Sequence, residues 1–244
     1  MMRIRKSPMK ALLNNEFAPV TFSSGFVKSP FPSYSEAFVS WWKKLAIEFE
    51  TTTVNEELRC AFRRLEPLQS PQNRYLILET KSPWTAIFTN GLRAGDVAGA
   101  VAHLCQILDT FGLNVSCVPD RSRLERERAA LRLYGAVTFT LSGPKKTDWL
   151  NRVRHVSAMN DGGKWVFDAE GEEQPYEQPK KYAQRKIADR FTPEMLEAYC
   201  LALGIDLFNP DFFGPKGMLV YQLTKFPQTS PKMSIAEANA RLHL

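Results

Sequence analysis

Arg74-Tyr75-Leu76-Ile77-Leu78-Glu79-Thr80 and Trp84-Thr85-Ala86-Ile87-Phe88-Thr89-Asn90, joined by Lys81-Ser82-Pro83, decide the fold. Both outer segments are rich in aromatic and branched residues. The Lys-Ser-Pro between them supplies a turn, so they read as a β-hairpin. Asn90-Gly91 marks the next turn. Downstream, Val97, Val101, Leu104, Cys105 and Leu108 form one stripe of a helix over 97–110, with Asp96 as N-cap and Gly112 past its end. A strand over 113–118 stops at Pro119-Asp120, and another over 134–141 closes at Ser142-Gly143-Pro144. Between them, 121–132 is a charged excursion.

Upstream, a short helix fits 56–65 and ends at Pro67. Another fits 35–47 with Ser35 as cap, because Phe38, Trp41, Trp42, Leu45 and Phe49 recur at the spacing of one buried face. Residues 1–34 hold Pro8, Pro19, Pro30 and Pro32, which oppose helix. Their Phe17, Phe22, Phe26, Phe31 and Tyr34 are too apolar for a free tail, so an irregular arm packed on the body is expected.

In the second half, Trp149, Leu150, Val153 and Val156 predict a helix over 147–158 with these side chains inward. Asp161-Gly162-Gly163 is a turn, and 164–168 with 172–176 read as a hairpin about Glu170-Gly171. A polar helix fits 180–189. The next helix has the strongest start in the chain: Thr192 as N-cap, Pro193 in the first helical position, and Phe191 placed to meet Leu196 in a hydrophobic staple. A strand over 217–224 and a terminal helix opened by the Ser234/Glu237 capping box complete the chain.

Hairpins mixed with strands separated by helices predict an α+β fold: a mixed, largely antiparallel sheet with packed helices, open to a two-lobed arrangement. The corresponding division is the arm 1–34, an N-terminal lobe 35–120, a C-terminal lobe 121–224, and a tail 225–244 with its short helix.

The 244 residues are 44% apolar and 24% charged. That composition builds a core and excludes a disordered chain. The longest apolar run has six residues, far short of the roughly 20 that span a bilayer. The basic N-terminus is followed only by Ala11-Leu12-Leu13, too little for a signal peptide, so a cytoplasmic protein without membrane attachment is expected. Cys60, Cys105, Cys117 and Cys200 lack the close spacing of a metal knuckle or redox pair and read as small core residues.

Chemistry-bearing patterns are sparse. His103, His155 and His243 form no HxxxH or HExxH pair. Asp148, Arg152 and His155 would share one helix face, which reads most simply as a solvated face with an ion pair. Gly91 and Gly95 precede a helix but lack the Lys and Ser/Thr of a phosphate loop, and no serine stands in a GxSxG elbow. No metal, no cofactor and no enzymatic activity are therefore expected.

Charge is more informative. The chain carries 32 basic and 26 acidic residues, a net +6. Residues 121–154 alone hold nine basic residues (Arg121, Arg123, Arg126, Arg128, Arg132, Lys145, Lys146, Arg152 and Arg154) against Glu125, Glu127 and Asp148. That balance equals the excess of the whole chain. Arg121, Arg123, Arg126, Arg128 and Arg152 are the candidate partner-binding residues, suited to steering an acidic protein. Glu125 and Glu127 oppose a phosphate backbone, and no groove-entering or base-stacking signature accompanies them. A nucleic-acid-associated protein using 121–154 is thus the second reading, and an enzyme of unidentified chemistry the third.

Two strings taken together resemble a group of bacterial cytosolic proteins. One is Trp84-Thr85-Ala86-Ile87-Phe88-Thr89-Asn90-Gly91-Leu92-Arg93-Ala94-Gly95-Asp96. The other runs from Ser157 through Asn160-Asp161-Gly162-Gly163-Lys164-Trp165-Val166-Phe167 and Gln174-Pro175-Tyr176-Glu177 to Asp189-Arg190-Phe191-Thr192 and Leu203-Gly204-Ile205. The resemblance spans roughly residues 35–210 and points to immunity proteins that protect a cell from the toxin of a type VI or other contact-dependent secretion system. It implies a stable body, a toxin-complementary surface and a cognate toxin as protein partner. It assigns no individual residue. Inhibitors that plug the basic groove of a nuclease tend to be acidic, so a basic chain is expected to bind elsewhere on such a toxin.

Overall fold

The computed structural model describes residues 10–92, 97–122, 133–147, 149–224 and 227–242. They form nine strands and five α-helices, in the order β1 (Ser23–Val27), α1 (Phe31–Lys44), β2 (Phe49–Asn55), α2 (Leu58–Arg63), β3 (Arg74–Thr80), β4 (Thr85–Thr89), α3 (Ala98–Ile107), β5 (Gly112–Val118), β6 (Ala136–Ser142), β7 (Arg152–Asp161), β8 (Lys164–Gly171), α4 (Pro193–Ala202), β9 (Phe213–Gln222) and α5 (Ile235–Leu242). The fold is α+β. All nine strands belong to one open sheet, ordered β2-β9-β3-β4-β1-β5-β6-β7-β8. Every neighbouring pair is antiparallel.

The opening hairpin forms as read, with Leu76 opposite Phe88 and Ile77 opposite Ile87. Its run of apolar residues has a physical cause. Leu76, Leu78, Ala86 and Phe88 face a core closed by α2, α4 and α5, while Ile77 and Ile87 face a second core under α1 and α3. Strands covered on both sides lose the apolar–polar alternation. β6 keeps it: Val137, Phe139 and Leu141 turn into the first core, and Thr138 and Thr140 turn away. One half of the sheet is therefore sandwiched, whereas the second core draws no residue from β6, β7 or β8.

Helix α3 seats closely because two glycines lie beneath it. A Cβ at Gly25 would stand 2.6 Å from Val101 Cγ2, and one at Gly112 would stand 2.3 Å from Cys105 Sγ. Both distances are closer than van der Waals contact allows.

Several expectations need correction. The proline-rich stretch packs on the body, with Phe17, Phe22 and Phe26 buried, but its 23–27 segment is β1, a regular strand between β4 and β5. α1 starts at Phe31 rather than Ser35, since Pro32 is tolerated in a first helical turn. Its buried stripe is Tyr34, Phe38 and Trp42, while Leu45 is exposed and Phe49 opens β2. The helix expected over 147–158 is absent. Residues 152–161 are β7, and Trp149 is 62% exposed instead of buried. The second hairpin turns at Gly162-Gly163, with β8 as its return strand, not at Glu170-Gly171. The polar helix over 180–189 is two short 3-10 turns, Pro179–Ala183 and Ile187–Asp189. Asp96, expected to cap α3, lies outside the described residues.

Other local readings hold. Thr192 Oγ1 accepts from Met195 N, and Phe191 and Leu196 are both buried beside it. The Glu237 carboxylate accepts from the backbone N of Ser234, and Ser234 Oγ accepts from Glu237 N at 3.1 Å. Strands from both expected lobes join the one sheet, and the tail contributes Ile235 and Ala238 to the first core. No helix of the described residues is long and apolar enough to cross a membrane.

Candidate interaction surface

Strand register assembles a polar platform on the face that α1 and α3 leave uncovered. Ser23, Ser116, Thr138, Ser157 and Asp168 are successive cross-strand neighbours through β1, β5, β6, β7 and β8. Asn114, Thr140, His155 and Glu170 make the adjacent row. Thr140 Oγ1 and His155 Nδ1 are 2.8 Å apart. Burial, with Arg152 nearby, pushes the His155 pKa below its ordinary value. Ser157 Oγ, Asn114 Oδ1 and Arg152 Nε are buried without a hydrogen-bond partner among the described residues. Such orphaned groups cost roughly 1–3 kcal/mol each.

The platform ends in apolar groups. At one end the chain turns through Leu150 and Asn151, both with positive φ, and the turn is tied down by Asn151 Nδ2 donating to Ala102 O at 2.8 Å. This presents Trp149, with the Arg152 guanidinium 5.8 Å from its ring centroid. Arg152 also donates to Glu170 at 2.7 Å. At the other end Met159 and Val166 are direct cross-strand neighbours, 39% and 42% exposed. At a rise of about 3.3 Å per residue the strip from Arg152 to Met159 is roughly 20 Å long.

On the opposite face of the same hairpin lies a buried ionic cluster. Arg154 donates to both carboxylate oxygens of Glu177, at 2.8 and 2.7 Å, and to Gly171 O at 3.0 Å. Tyr182 donates to Glu177 at 2.6 Å. Tyr199 lies 2.9 Å from the Tyr182 hydroxyl and accepts from Gln178 N. Burial raises the Glu177 pKa, but the donors Arg154, Tyr182 and Gln174 N outweigh it and hold the carboxyl below the usual range.

The five arginines singled out by sequence separate. Arg121 sits at the base of the excursion, its N donating to Leu133 O. Arg123, Arg126 and Arg128 lie outside the described residues. Arg152 is on the platform. Arg154, counted in the basic surface stretch, is buried and neutralised. The excursion's base is fixed by Asp120, which accepts from Ser122 N and Asn160 Nδ2. Burial opposes ionisation of Asp120, yet its donors keep the pKa low. A cavity of about 190 Å³ beside it is lined by Asp120, Tyr134, Asn160 and Trp165. A cleft of about 300 Å³ at the far side of the sheet includes Glu56, Arg59, Lys81 and Asp211.

Of the four cysteines, Cys105, Cys117 and Cys200 are buried and Cys60 half-buried. Burial pushes the Cys105 and Cys117 thiols up to about 12, which keeps them protonated. No group of three potential metal-ligating side chains occurs among the described residues.

The platform is not visible in the sequence because the β7 segment carries helix-like apolar spacing. The alternation Thr138/Thr140 against Val137/Phe139/Leu141 was the available signal that one sheet face is polar. Compared with family models, curated proteins and solved structures, the chain matches none.

Proposed function

We propose that the chain is a binding protein that acts by occupying a protein partner, as the immunity partner of a bacterial toxin, and that it docks through the β6–β8 platform. The observation that carries this reading is Trp149 stacked beside Arg152 at the uncovered end of the sheet. Single exposed apolar side chains are ordinary. Here Trp149, Leu150, Met159 and Val166, all exposed, flank the polar strip of Thr138, Thr140, His155, Asp168 and Glu170. Trp, Arg and Met are enriched in interfaces, and Trp and Arg dominate their energetics.

The test uses the product of the neighbouring reading frame as candidate toxin. Wild-type chain is expected to bind it and to restore growth of cells expressing it. The double variant Trp149→Ala/Arg152→Ala is expected to lose binding by about tenfold or more. Undiminished affinity of the double variant would remove the platform from the interface.

A further inference from the structure

Residues 178–190 hold Lys180, Lys181, Arg185, Lys186 and Arg190 against the single acid Asp189. As a helix they would be a solvated charged face. Instead they form a fixed strap. Backbone bonds close it at Lys181 N to Gln178 O, Gln184 N to Lys181 O, Asp189 N to Lys186 O and Arg190 N to Ile187 O. Tyr182 packs its ring on Phe167, 5.2 Å between centroids, and its hydroxyl enters the buried Arg154–Glu177 cluster. Arg190 lies over the Phe167 ring and donates to Gln184 O. At the far end the strap runs into the buried Phe191 and the Thr192 cap of α4. Lys180, Lys181, Arg185 and Lys186 are exposed, and among the described residues the first three make no ion pair. A chain that commits a buried ion pair to hold an exposed loop loses little freedom when that loop binds.

We infer that this strap is a docking surface for an acidic segment of a protein partner. The inference rests on the reading of the chain as a protein-binding module and names the partner's chemistry. The surface lies on the opposite face of the β7–β8 hairpin from Trp149, and β8 is the sheet edge, so a partner touching both clasps that edge. A protein is favoured over nucleic acid because the strap's aromatic ring, Tyr182, is turned inward against Phe167 and the Glu177 cluster and offers no stacking surface.

The experiment measures binding of fluorescent poly-L-glutamate and of a double-stranded DNA of similar length to the full chain across a salt series. Wild type is expected to bind poly-L-glutamate at low ionic strength and to bind DNA more weakly. Lys180→Glu/Lys181→Glu/Arg185→Glu/Lys186→Glu is expected to weaken poly-L-glutamate binding at least about tenfold with an unchanged unfolding midpoint. Tyr182→Phe, which leaves every strap charge in place but frees one tether, is expected to weaken it by a smaller factor. Equal poly-L-glutamate binding by wild type and the charge-reversed chain, or tighter binding of DNA than of poly-L-glutamate, overturns the inference. This readout needs no toxin, so it fails separately from the Trp149/Arg152 test.

Discussion

Arg154 and Glu177, 23 residues apart in sequence, meet as a two-bonded ion pair with side chains 5% and 0% exposed. Removing one partner strands the other charge. Glu177→Ala is expected to destabilise the chain by about 3–5 kcal/mol, whereas replacing both by apolar residues of similar volume costs far less. Urea unfolding of the two variants checks this, and equal losses would contradict it.

The same pair sets an acid dependence. Because the folded-state pKa of Glu177 lies below its unfolded value, its stabilisation is present above the ordinary carboxylate range and is lost as pH falls through the folded pKa. Stability measured from neutral to acid pH should therefore fall more steeply in wild type than in Glu177→Gln. Parallel curves would show that the pair is not ionised in the folded chain.

Trp42 and Trp149 should behave oppositely. Trp42 is buried among Phe38, Phe49 and Tyr75, so Trp42→Ala is expected to cost about 3–5 kcal/mol. Trp149→Ala should change stability by no more than about 0.5 kcal/mol, as an exposed substitution. A large loss at Trp149 would restore the helix read over 147–158.

That contrast shows what local pattern reveals. Strands β3 and β4, the Thr192 cap and the Ser234/Glu237 box announce themselves because every determinant lies within a few residues. β7 does not. Its inward side chains are Arg154, Val156 and Ala158, and the charge at the first of them breaks the apolar alternation that marks a half-buried strand. Its neutralising partner is in another element. Val153 and Val156 then mimic helical spacing. β1 is hidden for a different reason: its Ser-Ser-Gly start lacks β-forming side chains, and its Gly25 serves the close seat of α3. The platform follows from sheet register, which no single segment encodes. The strap's charges were legible, but its rigidity was not, since it depends on Tyr182 reaching Glu177 and Tyr199.

Ser157 offers a test of the platform without any partner. Its Oγ is buried without a hydrogen-bond partner among the described residues, so Ser157→Ala should leave stability unchanged or raise it. A loss above about 1 kcal/mol in thermal or urea unfolding would mean that the hydroxyl is already satisfied in the free chain.

We propose that a toxin docks at the uncovered end of the sheet, at β6–β8. Titration of the neighbouring reading frame's product against wild type and Trp149→Ala/Arg152→Ala measures it most directly. Tight binding by the wild type and a loss of about tenfold or more in the variant, with the folded state intact, are expected. Equal affinities for the two chains would contradict it.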